Sequence, residues 1–599
     1  MRFSLRLVII AALAASAAFA QTATGTLDGR VTDATGAIIA DAKVAIVAAQ
    51  TGRKQEVRTN SVGFFVRPFL APGLYQVTVE KEGFRRYSES NVRINVQQTV
   101  SLEILLPVGD TMSTIEVSAN SAQLATSSST VSTVIGNKAI MDLPLNGRNP
   151  FALASLVPGV VPGGGSTPWI SGGRNASSEI TIDGTSIILP ENNVGINTIA
   201  YTPPVDSVQE FSIVTNALAA EYGRTGGGTI NVSTRSGGNQ FHGSAFEFLR
   251  NSKLDANNFF SNRNRIPLGA FQRNQFGGTI GGPVLIPKLY NGKNKTFFFL
   301  SEQSTIQRNA SLFTATVPTT QWLNGDFSTL KNAGGADISI FDPLTAANDG
   351  TGNFIRQQFP GNIVPQNRMD PVALKARTYY VAPNSVPTNQ FTNANNFNAA
   401  SKAQFSQHQF DARLDHNFNS KFTIFGRLSH NISKNQPVNF FGNPGTPGGD
   451  GPSQTANYNA TMNANYTWNP TTIINFNYGF GRFNNQRFPF STGFDTTLLG
   501  FSPAVRNQAA TQNLEFPRFD IAGVSSLGQN TFTTLRFIPY SHVFASSATK
   551  ILTKHSIKAG AEYRQLFLNF MQLGQPSGQY SFNQGFTQRN PVQAVGTQG

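Results

Sequence analysis

Side chains able to do chemistry are sparse in this chain and poorly spaced for it. The six histidines stand at 242, 408, 416, 430, 542 and 555. None belongs to a His-Glu-x-x-His helix, which would put two imidazoles on one zinc ion beside a general base. They read as satisfied or exposed histidines. Cysteine is absent, which excludes a thiolate metal site, a thiol nucleophile and a disulfide framework. Serine is abundant, yet no Gly-x-Ser-x-Gly elbow presents one as a nucleophile; Gly163-Gly164-Gly165-Ser166 lacks the spacing. That glycine triplet and Gly226-Gly227-Gly228 could cradle phosphate. Neither runs into Gly-Lys-Ser/Thr or opens a clear helix, so turns or close strand packing explain them better. These residues predict no enzyme, no catalytic group, no metal and no cofactor.

The elements that carry such residues are mainly strands. Only 13% of the 599 residues are charged, about half the roughly 25% of ordinary soluble domains, while Phe numbers 48 and Gly 55. Disorder needs few aromatics and high charge, so extensive β-structure is expected, some of it facing something other than water. The formal charge of +14 is spread along the chain, and its densest patch is only Arg85-Arg86. No polybasic arm marks a nucleic-acid partner. At the N-terminus, Arg2 and Arg6 precede an apolar run from Leu7 to Ala15 and the small-x-small site Ala18-Phe19-Ala20. Residues 1–20 therefore read as a cleaved export signal. No later run of 18 or more apolar residues occurs, so a membrane span would have to be a β-barrel.

Residues 24–109 alternate in short segments between Gly and Pro turns, as an all-β sandwich does. Gly29-Arg30-Val31-x-Asp33, Gly63-Phe64-Phe65, Pro72-Gly73-x-Tyr75-x-Val77 and Gly83-Phe84 resemble the carboxypeptidase regulatory-like domain. The name suggests a peptidase, but no His or Cys occurs before residue 242, so no zinc-peptidase ligand set exists here. An accessory or glycan-binding-like module is expected.

Residues 110–238 carry Leu143-Pro144-Leu145-Asn146-Gly147-Arg148-Asn149, Leu156-Val157-Pro158-Gly159-Val160 and Gly172-Gly173-Arg174. Ile180-Thr181-Ile182-Asp183-Gly184, Val208-Gln209-Glu210-Phe211 and Glu221-Tyr222-Gly223-Arg224 follow. Taken in order, these resemble the α+β plug of TonB-dependent outer-membrane transporters, in the Oar-like branch that bears a regulatory-like domain. The resemblance implies a TonB box at Ser113, Thr114, Ile115, Glu116, Val117, Ser118 and Ala119: a mobile periplasmic segment that adds to TonB as a strand. It also implies that Arg148, Arg174 and Arg224 anchor the plug to acids lining the barrel, such as Asp411, Asp415 or Glu562. Ile182-Asp183-Gly184 itself reads as a strand ending in an Asp-Gly turn rather than as an isolated acid.

Residues 239–599 read as the first part of a large antiparallel transmembrane β-barrel. From Asn457 to Trp468 all twelve residues obey period two, with Tyr458, Ala460, Met462, Ala464, Tyr466 and Trp468 on the apolar face. Asp411, Arg413 and Asp415 alternate likewise with Phe410, Ala412 and Leu414. A soluble sandwich can show the same pattern with opposite burial, so alternation alone leaves both open. Nine strands are expected: 242–250, 272–282, 295–306, 405–416, 421–431, 456–468, 472–483, 540–552 and 555–566. Their connections alternate long and short, as extracellular loops and periplasmic turns do, and 307–404 is expected to be an extracellular lid or binding loop. Complete bacterial barrels have even strand numbers, so the chain reads as a fragment. The fold class is thus all-β dominated: signal peptide, β-sandwich, plug and partial barrel. The expected function is outer-membrane transport of a scarce substrate (oligosaccharide, peptide or chelate), with TonB and membrane lipid as partners. A surface adhesin or glycan-binding β-protein is the alternative.

Overall fold

The computed structural model describes residues 23–109, 114–118, 130–162, 168–174, 177–189, 199–449, 451–507, 513–553 and 555–592. The expected export signal, Ser113, Ala119 and the first glycine triplet lie outside the described residues. Strand makes up 49% of the chain and helix 11%, so the class is all-β dominated.

The first unit has strands β1 (Gly25–Thr32), β2 (Lys43–Ala48), β3 (Lys54–Arg58), β4 (Phe64–Leu70), β5 (Gly73–Glu80), β6 (Arg86–Ile94), β7 (Thr99–Leu105) and β8 (Thr114–Ser118). One sheet is ordered β4-β1-β7, the other β3-β2-β5-β6-β8. Leu27, Val44, Phe65, Val77, Ile94 and Ile104 share the core between them. β3 escapes a reading of the sequence because only Gln55 and Val57 of Lys-Gln-Glu-Val-Arg turn inward. Within the stretch expected to be a mobile TonB box, Thr114–Ser118 form β8, paired parallel with β6 from Arg86↔Thr114 to Ser90↔Ser118.

The second unit is a mixed sheet of β9 (Val131–Gly136), β10 (Glu179–Ile182), β11 (Thr185–Ser186), β12 (Val208–Asn216) and β13 (Thr229–Thr234), ordered β11-β10-β13-β12-β9. The short helix α1 (Asn137–Asp142) follows β9. Ile180, Ile182, Phe211, Ile213, Ile230 and Val232 fill its core. The second glycine triplet serves close packing: a Cβ on Gly228 would lie 2.2 Å from the Val214 carbonyl oxygen.

Nine long strands form one antiparallel sheet in chain order: β14 (His242–Asn251), β15 (Phe271–Pro283), β16 (Thr296–Ala315), β17 (Phe397–Asn417), β18 (Phe422–Gln436), β19 (Ser453–Asn469), β20 (Thr472–Arg487), β21 (Leu535–Ile551) and β22 (Ser556–Gln572). These are the nine expected strands, most of them longer at the end nearest a long loop. The sheet is open among the described residues, with β14 and β22 at its edges. Its alternation has the burial of a barrel. Asn457, Asn459, Thr461 and Asn463 are buried, while Tyr458, Met462, Tyr466 and Trp468 on the same strand are exposed. A water-soluble sheet would do the reverse; here the apolar face meets lipid and the polar face meets protein. Phe418, Phe422, Tyr466 and Trp468 cluster at the short-turn end, the first two stacked and the others edge to face, with successive centroids 5.0, 6.3 and 6.4 Å apart, as an interfacial girdle requires.

The segment 307–404, expected to be an extracellular lid or binding loop, carries structure of its own. Its ends belong to β16 and β17, and the stretch between carries short helices at Thr320–Leu323 and Pro371–Ala376. Val317 and Ala376 share an apolar core with Phe441, Phe494, Phe516 and Leu527 from the other long loops. Leu428, 63% exposed on β18 between the buried Arg427 and Ser429, tests which face meets lipid. Leu428→Arg should cost about 2–4 kcal/mol if it lies near the bilayer midplane and lower the amount of heat-modifiable protein in outer-membrane fractions. An unchanged level would assign that face to water.

Candidate functional site

The polar wall of the barrel sheet brings two arginines face to face. Arg413 on β17 pairs directly across with Arg427 on β18. Like charges directly opposite on a sheet repel, and the Arg427 side chain is only 1% exposed. Asp415 on the wall pairs with Arg413, and a carboxylate that reaches both arginines comes from the second unit. β10 ends at Ile182, and Asp183 and Gly184 both take the left-handed conformation (φ 50° and 81°) before β11 returns. Such a two-residue reversal suits Asp-Gly. It carries the Asp183 carboxylate to the wall, 2.9 Å from Arg427 Nε and 3.4 Å from Arg413 Nη1. The Thr234 amide (3.0 Å) and hydroxyl (2.7 Å) donate to the same carboxylate. Arg413 also forks onto Asp415 and stacks 3.9 Å over the Phe425 ring.

Around this pair the second unit, which falls in the stretch expected to be the plug, is held to the wall mostly by single hydrogen bonds. The Tyr201 hydroxyl donates to Asp411 (2.8 Å), which also accepts from the Ser429 hydroxyl. Gln409 donates to the Thr202 carbonyl (2.8 Å) and Asn457 to the Ala200 carbonyl (2.6 Å). Thr185 and Thr461 share a hydroxyl hydrogen bond at 3.0 Å. Gly479 leaves room for this approach, since a Cβ there would lie 2.4 Å from Thr185 Cγ2. Farther along, Arg564 of β22 pairs with the buried Glu179 at 3.3 Å, and Lys558 pairs with Glu221.

The arginines expected as anchors behave differently from that expectation. Arg148 forms its ion pair with Asp206, and Arg224 pairs with Glu179 at 3.5 Å; both carboxylates belong to the plug. Arg174 is exposed and, among the described residues, forms no ion pair; its carbonyl accepts from Ser177. The barrel acids named as their targets are taken by other groups: Asp411 by Tyr201 and Ser429, Asp415 by Arg413, Glu562 by Arg564. The principal ion pairs across the boundary therefore run from wall arginines to plug carboxylates. A short Asp on a turn can enter between two wall strands, whereas a wall residue needs the reach of arginine to meet it. Arg148 still touches the wall, donating to Gln303 (3.3 Å) and lying over the rings of Phe246 and Phe248 at 4.5 and 4.3 Å. Beside it, Asn146 accepts from Arg273 (3.2 Å) and the Gly147 carbonyl from Gln275 (3.3 Å).

Asp183, Glu179 and Tyr201 escaped the sequence reading. Asp-x-Arg-x-Asp at 411–415 signalled a charged lumen face, but the opposition of Arg413 to Arg427 depends on strand register. Within the plug, burial is the main influence on two titrating groups. It raises the Asp206 carboxyl and lowers the Arg148 guanidinium, each against their mutual attraction. At the plug's other end, burial lifts the Glu210 carboxyl to about 7, opposed by the Val96 amide and Arg93. Glu210 accepts from that amide, and Asn231 donates to Gln97 (2.7 Å), so the sandwich rests on the plug sheet. The histidines are spent on local bonds: His408 with Ser304, His416 with Thr296, His430 with the Asn457 carbonyl and His542 with the Tyr478 hydroxyl.

Residues 233–598 match the family model described as outer membrane beta barrel domain. The chain belongs to this family. Membership places it in the outer membrane, with the apolar strand faces toward lipid. Residues 26–107 match the carboxypeptidase regulatory-like domain. A curated relative, the TonB-dependent transporter Oar of Myxococcus xanthus, is 29% identical over 303 residues, covering 47% of this chain and 27% of the relative. The chain thus spans about a quarter of that relative's length. Among solved structures, the outer membrane transporter YddB from Escherichia coli is 9% identical with a TM-score of 0.45, covering 73% of this chain and 48% of the other. A ferric enterobactin receptor (PfeA) mutant from Pseudomonas aeruginosa is 12% identical with a TM-score of 0.39, covering 73% and 49%.

Two measurements check the site of this outer-membrane barrel protein. Asp183→Ala removes the carboxylate between the two opposed arginines and leaves the buried Arg427 without this ion pair, while Arg413 keeps Asp415; breaking a buried pair is worth about 3–5 kcal/mol. Limited proteolysis should then cut the plug far faster, whereas adding Arg427→Met should recover much of the protection. Arg224→Ala should shift proteolysis little, by about 0–1 kcal/mol, because Arg224 is itself 43% exposed and Arg564 still pairs with the buried Glu179. Stability should depend on pH through Glu210. Its carboxyl holds its proton more tightly in the folded protein than in the unfolded chain, so its contribution to stability is fully present below the free value of 4.5 and is lost as pH rises through about 7. The urea midpoint for unfolding of the sheet that holds Glu210, read by proteolysis, should fall over that window, and Glu210→Gln should flatten the profile.

Proposed function

We propose that this chain works in a TonB-dependent outer-membrane transporter, in which the plug closes the barrel until TonB pulls on it. The observation that carries this reading is the lodging of the plug sheet on the polar barrel wall through Asp183, Arg413 and Arg427. An adhesin has no use for a domain held inside the wall by a few ion pairs and single hydrogen bonds. A plug does, because such a seat can yield without unfolding the sheet around it. The relative that is itself a TonB-dependent transporter supports the reading, as does the order of motifs from Leu143 to Val232.

In this reading Thr114–Ser118 is the core of the TonB box and pairs with TonB by strand addition, where backbone hydrogen bonds supply affinity and tolerate loose sequence. The cargo is an oligosaccharide, peptide or chelate that enters from the side of the long loops. The box assignment has a direct test. Proline at a strand position removes a donor and clashes with pairing geometry. Outer-membrane vesicles carrying the Ile115→Pro protein should fail to capture the soluble periplasmic domain of TonB, with heat-modifiable mobility unchanged. Normal capture would remove the box from this segment, and absence of capture by the parent protein would favour the adhesin.

A further inference from the structure

We propose that the N-terminal sandwich is the mount for the coupling strand: β8 stays paired to β6 while TonB adds to its other edge. This deepens the transport reading and rests on it for the identity of the partner.

The observation is the register of β8. Five consecutive residues, Thr114 to Ser118, run parallel to Arg86–Ser90. β8 closes the order β3-β2-β5-β6-β8, so its outer edge pairs with no other strand among the described residues. Backbone groups of a strand alternate in direction, so pairing with β6 uses one set and leaves the other turned outward. An unprotected edge of this kind is a template for an added strand. A free segment would have to be ordered before it could pair; a strand already held in extended form has largely met that cost, which favours association. The occupant that fits is one extended strand of TonB, making β8 an internal strand of a six-stranded sheet.

The mount also has a route to the plug. β6 ends at Ile94, and two residues on, the Val96 amide donates to Glu210 at the start of β12. Gln97 accepts from Asn231 of β13, whose side-chain oxygen accepts from Thr181 of β10, the strand that carries Asp183. Force applied at β8 therefore reaches the turn that holds the plug to the wall through a short chain of packed strands and hydrogen bonds. On the barrel side the sandwich is tied to periplasmic turns by Arg67 to Thr467 (3.1 Å) and Asn60 to the Thr553 carbonyl (3.0 Å).

No cysteine occurs in these 599 residues, so a disulfide formed within them can join only the two introduced thiols. Ser90 and Ser118 are register partners, so Ser90→Cys with Ser118→Cys in the full-length protein should oxidise to an intramolecular disulfide. The out-of-register pair Ser90→Cys with Thr114→Cys should stay reduced, since a disulfide needs Cα atoms within about 7 Å. The oxidised protein should capture the soluble periplasmic domain of TonB with a Kd within about threefold of the reduced form. Failure of the in-register pair to crosslink would overturn the docking of β8. A crosslink that weakens capture about tenfold or more, restored by reductant, would overturn the mount in favour of a strand that must leave the sandwich before TonB can bind. Capture that is insensitive to Ile115→Pro in both redox states would instead remove the TonB-box reading while leaving β8 docked.

Discussion

Arg413 and Arg427 lie directly across from each other on neighbouring wall strands, one of them almost wholly buried. Two guanidinium groups in that position repel, and neither can shed its proton. On the wall itself Arg413 pairs with Asp415, and Ser429 links Arg427 to Asp411. Asp183 enters between the two arginines and gives Arg427 a direct ion pair, so the second unit joins the wall's own charge network. Buried pairs of this kind are weak sources of net stability, because desolvation offsets the attraction. Their effect is on position: a plug displaced from this seat leaves uncompensated charge on both surfaces.

Around that contact, single hydrogen bonds from Gln409, Asn457 and Thr461 tie the second unit to the wall, and farther along Arg564 and Lys558 add ion pairs with Glu179 and Glu221. A typical net hydrogen bond is worth about 0.5–1.5 kcal/mol, so the seat is a sum of small terms around one specific contact. The lipid side follows the opposite rule. Its aromatic and aliphatic residues stand exposed on the same strands, alternating one for one with the buried polar set. A one-residue slip of any strand would put asparagine and arginine into lipid, so the two media hold the register together.

The long loops and the sandwich extend this arrangement in opposite directions. On one side, the loops bury phenylalanine and tyrosine against one another, with Phe494 and Phe516 at 5.0 Å and Tyr379 and Phe516 at 4.7 Å. On the other, the sandwich meets the sheet of the second unit and the short-turn end of the barrel strands through single hydrogen bonds and the buried Glu210. The second unit therefore touches the barrel wall on one side and the sandwich on another.

Much of this was legible in the residues themselves. Period-two alternation over Asn457–Trp468, the parity of loop lengths and the Asp-Gly turn after Ile182 are local, because strand geometry repeats every two residues whatever the partner. So is the absence of any spacing that could assemble a catalytic site. What only the tertiary structure decided is which charges meet. Arg148, Arg174 and Arg224 stood out in sequence because they occupy recurrent motifs, yet the wall contact belongs mainly to Asp183, Glu179 and Tyr201. Thr114–Ser118 alternates in sequence as a strand does, but that it pairs with β6 is seen only in space. In each case the deciding quantity is the register between elements far apart in the chain, and no local pattern encodes it, since ion pairs and parallel pairing depend on distance in space.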